Sequence, residues 1–175
     1  MGSEMCIRDR DRSLRCNNFS MLDQDADGDQ ELVLSLGSPY RGFAFLDLDS
    51  QGRLVITKKI RPDDLLVGSG LLYAAVVDYD NDGYEDVLAV SPEGSTIKAQ
   101  PFYNIGGIFD SGQLIRKNFD GINGILQNSF QLTDWDADGF KDILVSFSSG
   151  DIIALTLTPA TLVIERVPVR PGPLT

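Results

Sequence analysis

The sequence predicts an all-β chain, three consecutive four-stranded antiparallel blades of a β-propeller, and three observations carry that prediction. An acidic nine-residue motif, D-x-D-x-D-G-x-x-[DE], occurs three times, beginning at Asp23, Asp78 and Asp134. The starts lie 55 and 56 residues apart, a near-constant period that marks a repeat architecture. Short apolar runs of strand length flank the copies, and no 3.6-residue stripe of helical type is found.

Within each unit the strands follow in the same order. An apolar run precedes the acidic loop, clearest in Leu71–Val77, and a β-rich run follows it, as in Asp142–Phe147. A second pair completes the unit: Gly42–Asp47 with Arg53–Ile60, Thr96–Tyr103 with Gln113–Phe119, and Ile152–Leu157 with Leu162–Val167. "DLDSQG", "FDSG" and "LTPAT" between the members of these pairs read as hairpin turns. The units occupy residues 11–62, 63–120 and 121–170, with 171–175 as a linker or truncated end, "VPVRPGPLT" as an extended exit and Asp120–Gly124 as a connection between units. Tandem four-stranded units of this length are the pattern of a propeller. A sandwich does not explain a fixed period, and a solenoid coil is usually shorter. Closure needs more than three blades, so further blades are expected in the full chain.

Residues 1–10, "MGSEMCIRDR", are what results from translating GTG GGC TCG GAG ATG TGT ATA AGA GAC AGR with GTG read as a start. That DNA looks like a transposase-based sequencing adaptor, so the segment is expected to be non-native and is set aside from fold reasoning. Of the two cysteines, Cys6 belongs to it, and Cys16 alone makes no internal disulfide.

The net charge of −11 has a local origin, since twelve of the acids are motif positions. Three divalent ions would reduce it to about −5. An acidic chain with no basic stripe is not expected to bind nucleic acid. No apolar run approaches the roughly 18 to 20 residues of a membrane span.

Four carboxylates crowded into one loop repel one another by about 1 kcal/mol per close pair in water and more in a less polar surrounding. A cation in the loop removes that cost. Calcium takes six to eight oxygens with flexible geometry, and positions 1, 3 and 5 of the motif can turn their carboxylates toward one centre. Position 7 can add a backbone carbonyl and position 9 can close the site. The expected ligands are Asp23, Asp25, Asp27, Asp29 and Glu31 in the first loop. In the second they are Asp78, Asp80, Asp82, Tyr84 and Asp86, and in the third Asp134, Asp136, Asp138, Phe140 and Asp142. Gly28, Gly83 and Gly139 at position 6 supply the positive φ of the reversal. All-oxygen ligands argue against zinc and copper, and magnesium prefers to keep its waters. About three calcium ions are therefore expected. An EF-hand is excluded, because its closing Glu at position 12 is replaced by Leu34, Ala89 and Val145. "LDLDSQG" at 46–52 resembles the motif, but Gln51 and Val55 occupy two ligand positions and the segment reads as an ordinary hairpin.

The segments "LDQDADGDQELVLSLG", "VDYDNDGYEDVLAVSP" and "TDWDADGFKDILVSFSSG" resemble the calcium loops of FG-GAP/VCBS repeats, the blades of integrin α-subunit propellers and of many bacterial secreted proteins. The resemblance covers all three units and is nearer to the bacterial VCBS-like branch, since the Phe-Gly and Gly-Ala-Pro stretches of the integrin form are missing. Glu31 departs from the usual final Asp. The resemblance implies a calcium-binding, non-catalytic scaffold for protein or glycan binding and adhesion, placed at the cell surface, outside the cell or in the periplasm.

The alternative is the propeller portion of a secreted carbohydrate-active or lipid-active enzyme whose catalytic residues lie elsewhere. With no histidine, the chain cannot itself assemble a Ser-His-Asp or Cys-His set, and no spacing points to a Tyr or Lys base. Tyr40, Phe43, Phe45, Phe102 and Tyr103 read as core between blades rather than sugar platforms, and Trp135 as packing on a neighbouring blade.

Overall fold

The computed structural model describes residues 16–37, 40–62, 72–121, 125–158 and 161–168. The adaptor-like segment, the last three residues of the Asp120–Gly124 connection, two residues of the "LTPAT" turn and most of the "VPVRPGPLT" exit lie outside them. Among the described residues the protein is all-β, with no helix and three antiparallel sheets.

The first sheet is an up-and-down meander of β1 (Cys16–Leu22), β2 (Glu31–Leu36), β3 (Gly42–Leu48) and β4 (Leu54–Ile60). The second runs β5 (Tyr73–Val77), β6 (Asp86–Glu93), β7 (Thr96–Ile105) and β8 (Ile108–Ser111), with β9 (Ile115–Asn118) also paired to β7. The third is a meander of β10 (Ile125–Thr133), β11 (Asp142–Phe147), β12 (Ile152–Thr158) and β13 (Thr161–Val167). Each acidic motif forms the first connection of its sheet.

The continuous apolar reading of β5 and β6 has its cause in the packing, because alternate residues of a strand face opposite ways and here both faces are covered. Ala74, Val76, Val87, Ala89 and Phe102 meet Leu22, Val33, Phe43 and Phe45 of the first sheet. Their neighbours Ala75, Val77, Leu88, Val90 and Ile97 meet Ile143, Val145, Phe147, Ile153 and Leu155 of the third. Phe43 and Phe102 pack edge to face across the first boundary with centroids 5.8 Å apart, as expected of aromatics between sheets. A third cluster, Leu34, Leu36, Ala44 and Leu46, lies on the other face of the first sheet.

The backbone of β5 toward β1 is met by side chains. The Asn18 amide donates to Ala74 O at 3.0 Å while its oxygen accepts the Ala74 N–H at 3.2 Å, copying a backbone pair. Asn17 and Ser20 donate to Leu72 O and Ala74 O. Polar groups at the edge of a buried strand are satisfied in this way without merging the two sheets.

Two expectations are corrected. "FDSG" is not the turn of the second unit: the chain reverses at Gly106 and Gly107, with φ of 57° and 85°, and Phe109 to Ser111 lie in β8. Two successive positive φ values make a two-residue hairpin whose twist matches the strands, so the glycine pair prevails over the Asp-Ser-Gly signal. The fourth strand is also divided. At Gly112 the N–H donates to Pro101 O at 2.8 Å, and a Cβ there would stand 2.7 Å from the Pro101 and Tyr103 side chains. After this close crossing β9 pairs with the earlier half of β7, giving the sheet five strands. Trp135, expected to pack on a neighbouring blade, is 47% exposed.

Candidate metal centres

The three acidic loops are organised by their own carboxylates in one repeated pattern. The position 1 carboxylate accepts two backbone N–H groups, from positions 5 and 6. Asp23 takes those of Asp27 and Gly28 at 3.2 and 3.0 Å. Asp78 takes those of Asp82 and Gly83 at 3.2 and 3.1 Å, and Asp134 those of Asp138 and Gly139 at 3.1 and 3.2 Å. At position 5, Asp27, Asp82 and Asp138 each accept the N–H of position 7, from Asp29, Tyr84 and Phe140, at 2.8 to 2.9 Å. The closing carboxylate reaches back to position 2: Glu31 accepts from Gln24 at 2.6 Å, Asp86 from Tyr79 and Asp142 from Trp135 at 2.8 Å. Asp side chains readily bond nearby backbone in this manner, and doing so curls a chain that would otherwise extend.

The curl needs left-handed backbone at two positions per loop. Gly28, Gly83 and Gly139 have φ of 92°, 94° and 96°. Ala26, Asn81 and Ala137 at position 4 have φ of 61°, 59° and 62°. Left-handed backbone costs a residue with a Cβ roughly 1–2 kcal/mol. At Ala26 and Ala137 this conformation had no signal in the sequence, whereas Asn81 is of a type enriched in left-handed backbone.

In each loop three carboxylates offer oxygens that lie within 4.8 Å of one another: Asp23, Asp25 and Asp27; Asp78, Asp80 and Asp86; Asp134, Asp136 and Asp142. Of the other residues expected to contribute, Asp82 and Asp138 hold the position 7 N–H, and Glu31 is buried against Gln24. Asp29, Tyr84 and Phe140 take part through their backbone N–H groups.

The electrostatics reflect this gathering. Burial pushes the Asp86 carboxyl up to about 6; the Asn104 and Tyr79 N–H groups oppose the shift, while Asp80 and Asp82 add to it. Asp80 is raised by burial and then by Asp82 and Asp78, and Asp136 by desolvation and then by Asp138. Burial also raises Glu31, against the opposing Gln24 N–H. Asp80 Oδ1 is buried without a hydrogen-bond partner. With hard oxygen donors, ionisation held back by burial and mutual repulsion, and an unsatisfied carboxylate oxygen, these clusters could hold a metal ion.

The loops sit side by side. Glu85, at position 8 of the second loop, accepts the Asp23 N–H at 3.0 Å. A cavity of about 280 Å³ separates the second loop from the third, lined by Asp78, Asn81, Glu85, Phe140 and Lys141 among others. Position 2 shows a graded environment: Gln24 touches Gly107 of the second sheet, Tyr79 is buried between the second and third sheets, and Trp135 is open. The look-alike hairpin at 46–52 is an ordinary turn, with Asp49 accepting the Gln51 and Arg53 N–H groups and pairing with the Arg53 guanidinium at 2.7 Å. Sequence reasoning missed Glu85 and the fully buried Asn104 as supports of the loops. The only signal for Asn104 was a polar residue closing an apolar strand before a Gly-Gly turn.

Comparison with protein-family models, with curated proteins and with solved structures finds no match for this chain.

Proposed function

We propose that the chain is a calcium-binding segment of a β-propeller, three blades of the FG-GAP/VCBS kind, each holding one ion in its acidic loop. It serves as a non-catalytic scaffold for a protein or glycan partner outside the cell or at its surface. The observation that carries the reading is the threefold recurrence of one loop, with the same carboxylate-to-backbone bonds and a converging carboxylate triad in each. Asp23, Asp25 and Asp27 would hold the first ion; Asp78, Asp80 and Asp86 the second; Asp134, Asp136 and Asp142 the third. Asp82, Asp138 and Glu31 stand in reach of the same loops, and position 7 would add a carbonyl. The ion supplies positive charge and rigidity, not reactivity.

The propeller reading is supported by the middle sheet, covered on one face by the sheet before it and on the other by the sheet after it. Position 2 is the place where a following sheet gives cover in the first two units, so the open Trp135 marks where a fourth blade would dock. Calorimetric titration with calcium in chelated buffer is expected to give about three sites, falling by one after Asp136→Ala. A stoichiometry of zero refutes the metal reading. A partner search on glycan and extracellular-protein arrays, run with calcium and with chelator, tests the scaffold; binding indifferent to calcium goes against it.

A further inference from the structure

The first and second loops are joined by a chain of hydrogen bonds that the third has no means to copy. Asn104 is fully buried at the end of β7. Its backbone N–H donates to Asp86 Oδ1 at 2.7 Å, and its side-chain amide donates to Gln24 O at 2.7 Å and to Glu85 O at 3.2 Å. Its side-chain oxygen accepts the Gly107 N–H at 2.9 Å, so the amide cannot turn without losing a partner. Gln24 continues the path, since its N–H, on the peptide before the carbonyl that Asn104 holds, donates to Glu31 at 2.6 Å. The closing carboxylates of two loops in different sheets are thereby connected through Asn104 and Gln24. Glu85 adds a parallel contact to Asp23.

Among the described residues, the other two sheets show no amide side chain in the place of Asn104. In each sheet the aliphatic residue after the closing carboxylate pairs with a residue of the third strand: Leu32 with Leu46, Val87 with Phe102, Ile143 with Leu155. Two residues further along stand Leu48, Asn104 and Leu157. Leucine has no amide to hold a neighbouring loop. The third loop also has Lys141 at the position of Glu85, and an ammonium group cannot accept the N–H of Asp78 as Glu85 accepts that of Asp23.

We propose that Asn104 is a positioning residue that couples the first and second metal sites, so that they fill cooperatively while the third fills independently. The inference rests on the metal reading of the loops. An ion that draws in Asp86 fixes Asn104, which holds the Gln24 carbonyl, while the Gln24 N–H holds Glu31 and Glu85 holds the N–H of Asp23, a member of the first triad. The second ion then finds its loop already ordered, which is positive coupling, and by linkage the effect is reciprocal.

The test uses the chain carrying Asp136→Ala, which leaves the first two sites, and calorimetry with calcium chloride. Adding Asp25→Ala to remove the first site is expected to weaken calcium at the second by about five-fold or more, the lower end of ordinary coupling. In the presence of Asn104→Leu, which installs the residue of the other two sheets, the same removal is expected to change it by less than about two-fold. Asn104→Asp, which keeps the oxygen that accepts the Gly107 N–H and loses the donor to Gln24 O and Glu85 O, decides the matter if Asn104→Leu does not fold: diminished coupling sustains the inference and unchanged coupling overturns it. Independent filling of all sites in the starting chain overturns the coupling alone, whereas no calcium uptake by that chain overturns the metal reading and the coupling with it.

Discussion

Two positive-φ residues of the third loop, Ala137 and Gly139, are expected to show that glycine is preferred over alanine at both positions. Ala137 has φ of 62° and Gly139 φ of 96°. At Ala137 the left-handed backbone costs roughly 1–2 kcal/mol, and a glycine there relieves it. The added freedom of glycine in the unfolded chain takes back about 0.5–1 kcal/mol. Ala137→Gly is therefore expected to stabilise by about 0.5–1 kcal/mol. Gly139→Ala meets no steric neighbour, since a Cβ there would have nothing within 4 Å, so its whole effect is backbone strain. Its φ lies well beyond the small left-handed region open to other residues, and a cost of about 1–3 kcal/mol follows. For a chain of this size each kcal/mol moves the melting temperature by about 2–4 °C. Thermal unfolding followed by circular dichroism in chelator should thus show Ala137→Gly about 1–4 °C higher and Gly139→Ala at least about 2 °C lower. The pair Ala26 and Gly28 should repeat the result. A lower midpoint for Ala137→Gly, or an unmoved one for Gly139→Ala, would show that the backbone of the loop is not as described.

Saturating calcium at about 100 times the dissociation constant stabilises a folded site by roughly 2.7 kcal/mol, so three sites add up to about 8 and a chelator should sharply lower the midpoint of the calcium-loaded chain. An unchanged midpoint goes against calcium at these loops. In chelator, Asp86 makes stability depend on pH. Its folded-state pKa near 6 is raised from 3.8, so the folded form binds the proton more tightly. Its contribution is fully present below about 4 and is lost as pH rises through about 6, and Asp86→Asn should flatten that slope in urea unfolding. With calcium present the proton competes for the same carboxylate, so uptake at the second site should weaken as pH falls below about 6, read by calorimetry across pH. At the first boundary, Phe43→Ala removes a fully buried ring packed on Phe102 and should cost about 3–5 kcal/mol in chemical unfolding.

The order of the strands was legible because each acidic loop marks the same place in its unit and because short apolar runs such as Tyr73–Val77 and Val87–Val90 flank it. The aromatics Phe43, Phe45 and Phe102 were legible as core for the same reason. The second unit was misread where two turn signals competed, and the glycine pair 106–107 prevailed through its backbone rather than its polarity. Asn104 could not be recognised at all. Its role arises from four partners that lie 18, 80, 19 and 3 residues away along the chain, and no local pattern encodes such a convergence.

The crowding of carboxylates is tolerable even before a cation enters, and the reason bears on how the site works. Asp23, Asp78 and Asp134 each give both oxygens to backbone N–H groups, and the closing carboxylates accept one more. Those bonds offset part of the repulsion and hold the triads near one centre, so an ion would meet donors already gathered. What they do not offset remains visible at Asp80, with its raised pKa and its buried oxygen without a partner. That residue is the place where the loop has most to gain from a positive charge. Asp80→Asn keeps the shape of the side chain and removes the charge, so it should raise the stability of the chain in chelator at neutral pH while weakening calcium at the second site. A purely structural aspartate would lose stability under both conditions, and unfolding curves of this one variant with and without calcium distinguish the two.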